Sequence, residues 1–387
     1  MRADDDFPGG NGLIEQVDGR IDVRPDLRDT IGTWFYWCFR VRDGAGRRIR
    51  VRVSGEPHTP IGPGGPAVST DAGRSWRWLG NDALAGDEFV FDAPHDGDEI
   101  RFSFGMPYTA SDLTAFLDRH ADDPRLERRE LTRSEHGRPV ELLVLRSTAE
   151  EPHHRVLLTC RHHACEMMAS HVLEGALDEL LAVADPVTRW LASRVEFVVL
   201  PFVDVDGVEE GDQGKNRAPH DHGRDYAAED GRYAAVRAVR DLVRATRFDV
   251  VLDLHCPNMT GPTSERIYFV GSPDMENWAA VQSLSRELER GAKGLPYHRA
   301  NDLPFGTSWN VEGNYTARDG SDRPQQSIGL FLDGMSDVGT HAILEVPYAS
   351  AEGVQVDTGS ARAFGADLAH AIGRHLRTSM PMEARAE

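Results

Sequence analysis

Two apolar runs, Phe197 to Val203 and Val250 to Leu254 with Asp253 as the one charged residue in the second, constrain this chain more than any other feature. A strand that is apolar on both sides has to be covered on both, which is the condition of a central strand in an α/β sheet. The surrounding pattern agrees. Val140 to Leu145, Val156 to Thr159 and Ala342 to Val346 read as further strands. Val172, Leu173, Ala176, Leu177, Leu180 and Leu181 recur at helical spacing, and helical patterns follow at Tyr233 to Val243, Trp278 to Leu288 and Ala361 to Leu376. Thr109-Ala110-Ser111-Asp112 offers cap residues for one more helix through Leu113, Phe116 and Leu117. Strands alternating with helices predict an α/β domain over residues 108–387.

The front of the chain reads differently. Trp34 to Val41 is rich in aromatic and apolar residues, Arg48 to Val53 alternates strictly, and Phe89 to Phe91 and Ile100 to Phe104 are further short runs. Gly, Pro and Asp clusters separate them, and Gly55 to Gly65 is a loop. This pattern predicts an all-β sandwich over residues 1–107.

Charge and composition exclude several classes. The 43 basic and 63 acidic side chains give a formal net charge of -20, which repels nucleic acid and anionic lipid. The arginines at 48, 50 and 52 alternate with Ile49, Val51 and Val53, the wet face of a strand rather than a phosphate-binding patch. No run of 18 apolar residues exists, so no membrane-spanning helix is expected. The first residues are acidic and lack the basic start and apolar stretch of a secretory signal, so the expected location is the cytoplasm. Cys38, Cys160, Cys165 and Cys256 form no CxxC pair and read as small apolar fillers, three of them beside the polar segments described next.

Those segments fall at strand ends, where α/β sheets keep their ligands. Cys160-Arg161-His162-His163-Ala164-Cys165-Glu166 follows the strand ending at about Thr159. An imidazole and a carboxylate three residues apart on a tight turn can converge on one cation, and spacing alone does not choose between His162 and His163. His255 sits at the tip of the apolar run that passes through Asp253 and Leu254. Two histidines and one carboxylate, with a fourth position left for water, are the donor set of a catalytic zinc. Glu345 interrupts an otherwise apolar strand, His341 to Pro347, where an ionised carboxylate is expensive unless something compensates it. Between these lies a long polar loop with Asp204-Val205-Asp206-Gly207, Gly214-Lys215-Asn216-Arg217 and Asp221-His222-Gly223-Arg224-Asp225-Tyr226. Loops of this length inside a domain are usually functional. His220 and His222 form an HxH pair that reads as solvated histidines.

In this order the segments resemble the M14 zinc metallocarboxypeptidases: HxxE, an arginine-bearing loop, a His at a strand end and a Glu on a late strand. Trp34-Phe35-Tyr36, Ser69 to Trp76, and Phe102 to Thr109 with Asp112-Leu113 look like the N-terminal domain and junction of the cytosolic carboxypeptidase branch. The resemblance runs from about Ile21 to Leu376. It implies a zinc carboxypeptidase-like catalytic domain, a mixed central sheet with helices on both faces, preceded by the small β-sandwich. It also implies one Zn²⁺ per chain held by His163, Glu166 and His255, which chooses His163 over His162. Glu345 matches the general base, Arg217 the arginine that polarises the scissile carbonyl, Arg224 the one that binds a terminal carboxylate, and Asp221 an acid behind a ligand histidine. Tyr315 is a candidate for the family's mobile tyrosine. Gly223 stands where the family usually has asparagine, so one carboxylate donor is missing. The expected activity is hydrolysis of the C-terminal amide bond of a peptide or protein. The alternatives are an amidase or deacylase acting on a small N-acyl compound, and a non-catalytic binding module on the same scaffold.

Overall fold

Seven strands build the central sheet of the computed structural model, which describes residues 1–97, 99–227, 229–316 and 323–379. Their order across the sheet is Leu126–Arg133, Pro139–Leu145, Val195–Leu200, His154–Cys160, Phe248–His255, Val338–Glu345 and Tyr268–Val270. The four strands from Val195–Leu200 to Val338–Glu345 run parallel and the outer ones antiparallel, so the sheet is mixed. Residues 250–255 are buried at consecutive positions, as a strand covered on both faces requires. The run read from Phe197 to Val203 is a strand only as far as Leu200, and Phe202 and Val203 are buried in the connection beyond it.

The chain leaves His154–Cys160 through the helices Met167–Ala182 and Pro186–Arg194 and returns beside it as Val195–Leu200. It then crosses through Ala234–Ala245 to the other flank as Phe248–His255. That reversal opens a crevice at the carboxyl ends of the parallel strands. Met167–Ala182 is buried along most of its length and packs along Thr358–Ser379. The helix Ala110–Arg119 begins as its capping residues predict: the Thr109 N–H donates to Asp112 Oδ2 at 2.7 Å, closing a capping box.

The N-terminal region is sheet-rich. Two five-stranded sheets face each other through Phe102 of one and Phe89 and Phe91 of the other, with ring centroids 5.3 and 5.4 Å apart, and Phe39 packs beside Phe102 at 5.6 Å. Arg48–Val53 keeps its strict alternation, with Ile49, Val51 and Val53 inside and the arginines outside. Phe35 and Phe104 meet Tyr348 edge-on at 5.5 and 5.1 Å, and one continuous apolar cluster runs from the sandwich into the α/β region. Among the described residues no helix is long and apolar enough to cross a membrane.

Candidate active site

His163, Glu166, His255 and Glu345 all reach the crevice from strand ends. His163 and Glu166 lie on the turn between Cys160 and the helix starting at Met167, and His255 and Glu345 are the last residues of two paired strands, opposite each other in register. The side chains line a cavity of about 320 Å³ together with Arg224 and Tyr315.

Four donor atoms converge there. His163 Nδ1 is 2.9 Å from Glu166 Oε1, and His255 Nδ1 is 2.7 Å from Glu166 Oε2. The second contact lacks hydrogen-bond alignment, so Glu166 Oε2 is buried with no hydrogen-bond partner. Behind the imidazoles, His163 Nε2 lies 3.2 Å from Asp221 Oδ1 and His255 Nε2 2.7 Å from Asp253 Oδ2. Donation from Nε2 to a carboxylate makes Nδ1 the free lone pair on each ring. Lone pairs of two imidazoles and a carboxylate facing one another repel unless protons or a cation lie between them. The ligand atoms of His163, Glu166 and His255 fall within 4.8 Å of one another, and two nitrogens with a carboxylate are a zinc donor set. The residues therefore fit the metal.

His162 does not join them. It is fully buried, with Nδ1 2.9 Å from Asp253 Oδ1 and Nε2 2.7 Å from the Tyr226 hydroxyl, so both its nitrogens are engaged away from the cavity. His220 and His222 also stay outside, and they are not solvated as the sequence reading expected. Both are buried, His220 beside Asp225 and His222 stacked on Tyr233 at 3.4 Å.

The electrostatics are those of a buried charge cluster. Burial would raise the Glu166 carboxyl, but Lys215, His255 and His163 together hold it well below the usual carboxylate range. Glu345 goes the other way: burial raises it, and the neighbouring Glu166 adds to the rise against the pull of His255 and Lys215. Its Oε2 is buried and makes no hydrogen bond with the described residues. The thiols of Cys160 and Cys165 are pushed up to about 12 chiefly by burial, so both stay protonated and fill space.

The loop from Gly211 to Arg224 splits its cations. Arg224 stands at the cavity wall with its guanidinium carbon 5.0 Å from the Tyr315 ring centroid, and no carboxylate of the described residues pairs with it. Arg217 is not brought to the cavity. Its Nη1 is 2.7 Å from Asp212 and 3.7 Å from Asp29, and its Nη2 bonds Asp204. Lys215, given no role by the sequence reading, lines the cavity instead, with Nζ 2.5 Å from Glu166 Oε1 and donating to the Cys256 carbonyl at 2.8 Å. Asn216, between them, adopts φ 48°, a left-handed conformation that asparagine tolerates and that turns successive side chains apart. Asp221 accepts from the Gly223 N–H at 2.7 Å and the Asn216 N–H at 2.8 Å, which fixes the carboxylate behind His163.

Gly223 has a local reason. A Cβ there would lie 2.9 Å from His163 Nε2 and 3.2 Å from Asp221 Oδ1, so a side chain would press on that pair.

The N-terminal region supports the same loop. Asp29 accepts from the Gln213 and Gly214 N–H groups at 3.1 and 2.9 Å, and its carbonyl accepts from Ala218 N–H at 2.8 Å. The Ile31 N–H donates to the Asn216 carbonyl, Thr30 bonds the Lys215 carbonyl, and the Gln213 side chain bonds the Tyr36 backbone on both sides. Trp34 lines the cavity, its ring centroid 5.8 Å from Lys215 Nζ. These contacts join residues some 180 positions apart, and nothing local in the sequence signals them.

The zinc-carboxypeptidase family model matches residues 113–230, the span that carries His163, Glu166 and the loop. A metallo-carboxypeptidase from Burkholderia cenocepacia superposes with a TM-score of 0.77 at 20% identity, covering 98% of this chain and 99% of that one. Another from Pseudomonas aeruginosa, solved in complex with (2-guanidinoethylmercapto)succinic acid, gives a TM-score of 0.71 at 18% identity, covering 97% and 99%. The fold is that of the zinc carboxypeptidases. Cytosolic carboxypeptidase 6 of Caenorhabditis elegans is 23% identical over 65% of this chain, which spans 64% of that relative's length. In sequence the chain is similar to the M14 zinc carboxypeptidases and to the cytosolic carboxypeptidases among them.

Proposed function

We propose that this protein is a zinc-dependent metallocarboxypeptidase acting on the C-terminal amide bond of a peptide or protein. The observation that carries the reading is the convergence of His163, Glu166 and His255 beside the unbonded Glu345 carboxylate oxygen. His163, Glu166 and His255 would hold one Zn²⁺. When bound, zinc supplies Lewis acidity toward the scissile carbonyl and lowers the pKa of a water to near 7.

The chain's own residues supply the remainder. Glu345 takes a proton from the attacking water and returns it to the leaving nitrogen, a contribution on the order of 10² to 10⁴ in rate. A carboxyl that burial has raised is suited to carrying that proton between the two steps. Arg224, unpaired among the described residues and beside Tyr315, binds the substrate's terminal carboxylate through two parallel hydrogen bonds. Asp221 and Asp253 orient the two imidazoles so that Nδ1 faces inward on each. We read residues 1–107 and 108–387 as two domains that share one core, and the cytoplasm as the location.

Glu345→Gln keeps one zinc per chain and loses turnover on peptides with free C-termini, whereas His255→Ala loses the metal in elemental analysis. Full activity in Glu345→Gln refutes the assignment. One observation favours a second reading. Gly223 leaves no amide side chain beside Arg224 to complete a carboxylate clamp, which favours a substrate other than an extended peptide terminus. Hydrolysis of N-acyl amino acids, with none of peptides that differ only in their last residue, decides for that amidase.

A further inference from the structure

We propose that Lys215, and not Arg217, is the cation that receives the charge developing on the scissile carbonyl oxygen. The inference rests on the hydrolase reading above and assigns one more residue of that reaction.

The argument begins with what is already committed. Arg217 faces three carboxylates, Asp29, Asp204 and Asp212, and lies outside the cavity wall. Reaching a substrate would mean leaving all three buried acids uncompensated, which costs several kcal/mol. Lys215 is two residues earlier on the same loop, and the left-handed Asn216 between them directs the two basic side chains to different surroundings. One goes into the acidic cluster, the other to the reaction cavity.

An ammonium carries three donors. In Lys215 one points to the Cys256 carbonyl and one lies against Glu166, and no third acceptor exists among the described residues. The ammonium thus sits against a proposed zinc ligand and lines the same cavity as Glu345, with a donor to spare. Its position is fixed rather than flexible. Thr30 bonds its carbonyl, Ile31 bonds the carbonyl of Asn216, and the Trp34 ring flanks the ammonium. A preorganised charge in a water-poor site stabilises an oxyanion without reorganising when the charge appears.

The step balances with Lys215 keeping its proton throughout. The water oxygen bonds to the carbonyl carbon, the C=O π pair moves onto the oxygen beside Lys215 Nζ, and the water's proton goes to Glu345. When the C–N bond breaks, its electron pair stays on nitrogen, which takes that proton, and the carbonyl re-forms.

The test uses the full zinc-loaded chain with Lys215→Met, Lys215→Gln and Lys215→Arg. Four quantities are read: zinc per chain, kcat and KM on a C-terminal peptide, affinity for a phosphonate analogue of that peptide, and affinity for the product amino acid. Lys215→Met should keep its zinc, its KM and its product affinity. Its kcat should fall by about 10² to 10³, and its phosphonate affinity by a matching factor, because the phosphonate presents the tetrahedral oxyanion and the product does not. Lys215→Arg, which keeps the charge, should recover part of both losses, and it carries the test if the neutral variants do not fold. A Lys215→Met enzyme with kcat within threefold of the parent overturns the proposal. So does a loss of rate that follows loss of zinc, since Lys215 would then serve only to balance Glu166. Failure of the hydrolase reading looks different: the unsubstituted chain itself would bind zinc and cleave no substrate.

Discussion

Arg217→Met offers the sharpest test of how the loop divides its cations. The guanidinium is largely buried, and its partners Asp29, Asp204 and Asp212 are each under a tenth exposed. Burial would raise Asp204, but Arg217 holds it below the usual carboxylate range, while Asp212 is pushed up by burial and by the charge of Asp29. Removing the arginine strands at least two ionised carboxylates in a low-dielectric pocket. Breaking a buried pair from one side costs about 3–5 kcal/mol, a large share of the roughly 5–15 kcal/mol that holds a domain together. Each 1.4 kcal/mol is about tenfold, so the folding equilibrium drops by roughly two to three and a half orders of magnitude. Urea unfolding followed by tryptophan fluorescence at pH 7 measures this directly. The difference between parent and variant should shrink as pH falls toward 4. In the variant, protonation relieves the stranded carboxylates as pH falls, while in the parent the stabilisation from Asp204, whose pKa is held below the usual range, is lost only below about pH 4. The folded fraction of the variant should keep kcat close to the parent value. A variant within about 1 kcal/mol of the parent in stability, yet slower by 100-fold or more, would return Arg217 to the chemistry and refute the reasoning.

Two further outcomes follow from the same geometry. Arg224→Lys should raise KM for peptides with a free C-terminus by about 10- to 100-fold with a smaller change in kcat, since a lysine cannot form the paired bonds; an unchanged KM in steady-state assays would exclude the carboxylate clamp. His171 is buried with Nε2 facing the Met106 carbonyl at 3.1 Å and Nδ1 without a partner, and burial lowers its pKa to about 4. As pH falls from about 6.5 the unfolded chain takes up this proton and the folded one does not, so His171 alone contributes a decline in stability of about 1.4 kcal/mol per pH unit down to about pH 4, alongside His222 and His375, which burial lowers likewise. A slope reduced by that amount in His171→Gln, read from pH-dependent urea titrations, checks the assignment.

The parts of this structure that were legible in the sequence are those set by local chemistry. The apolar residues Val250, Val251, Leu252 and Leu254 mark a strand covered on both faces, and the strand found is Phe248–His255. Thr109 and Asp112 mark a helix start, and the helix begins at Ala110. The expected ligands share one end of the sheet because each follows a strand, and strand ends can be read from pattern. The short strands Arg2–Asp4, Leu13–Val17 and Arg20–Arg24 were not anticipated, since their residues are mostly polar and partly exposed. Leu126–Arg133 hid behind its arginines, which pair with Glu127, Glu130 and Glu141 along the sheet edge. The loop cations were the hardest. Whether Lys215 or Arg217 reaches the cavity depends on the backbone at Asn216 and on Asp29, Asp204 and Asp212, and Asp29 arrives from 188 positions away. Asparagine's tolerance of the left-handed region was the one available hint.

The bonds from Asp29, Thr30 and Ile31 to the loop carry a practical meaning for anyone shortening this protein. A fragment cut back to the α/β portion would still contain both imidazoles and both glutamates, so it would pass inspection as an intact catalyst. It would lack the brace that sets the height of Lys215 and the indole that closes one side of the chamber. Such a truncated piece should capture zinc yet turn over poorly, and its defect would be misattributed to the metal if the missing front half were thought of as ornament.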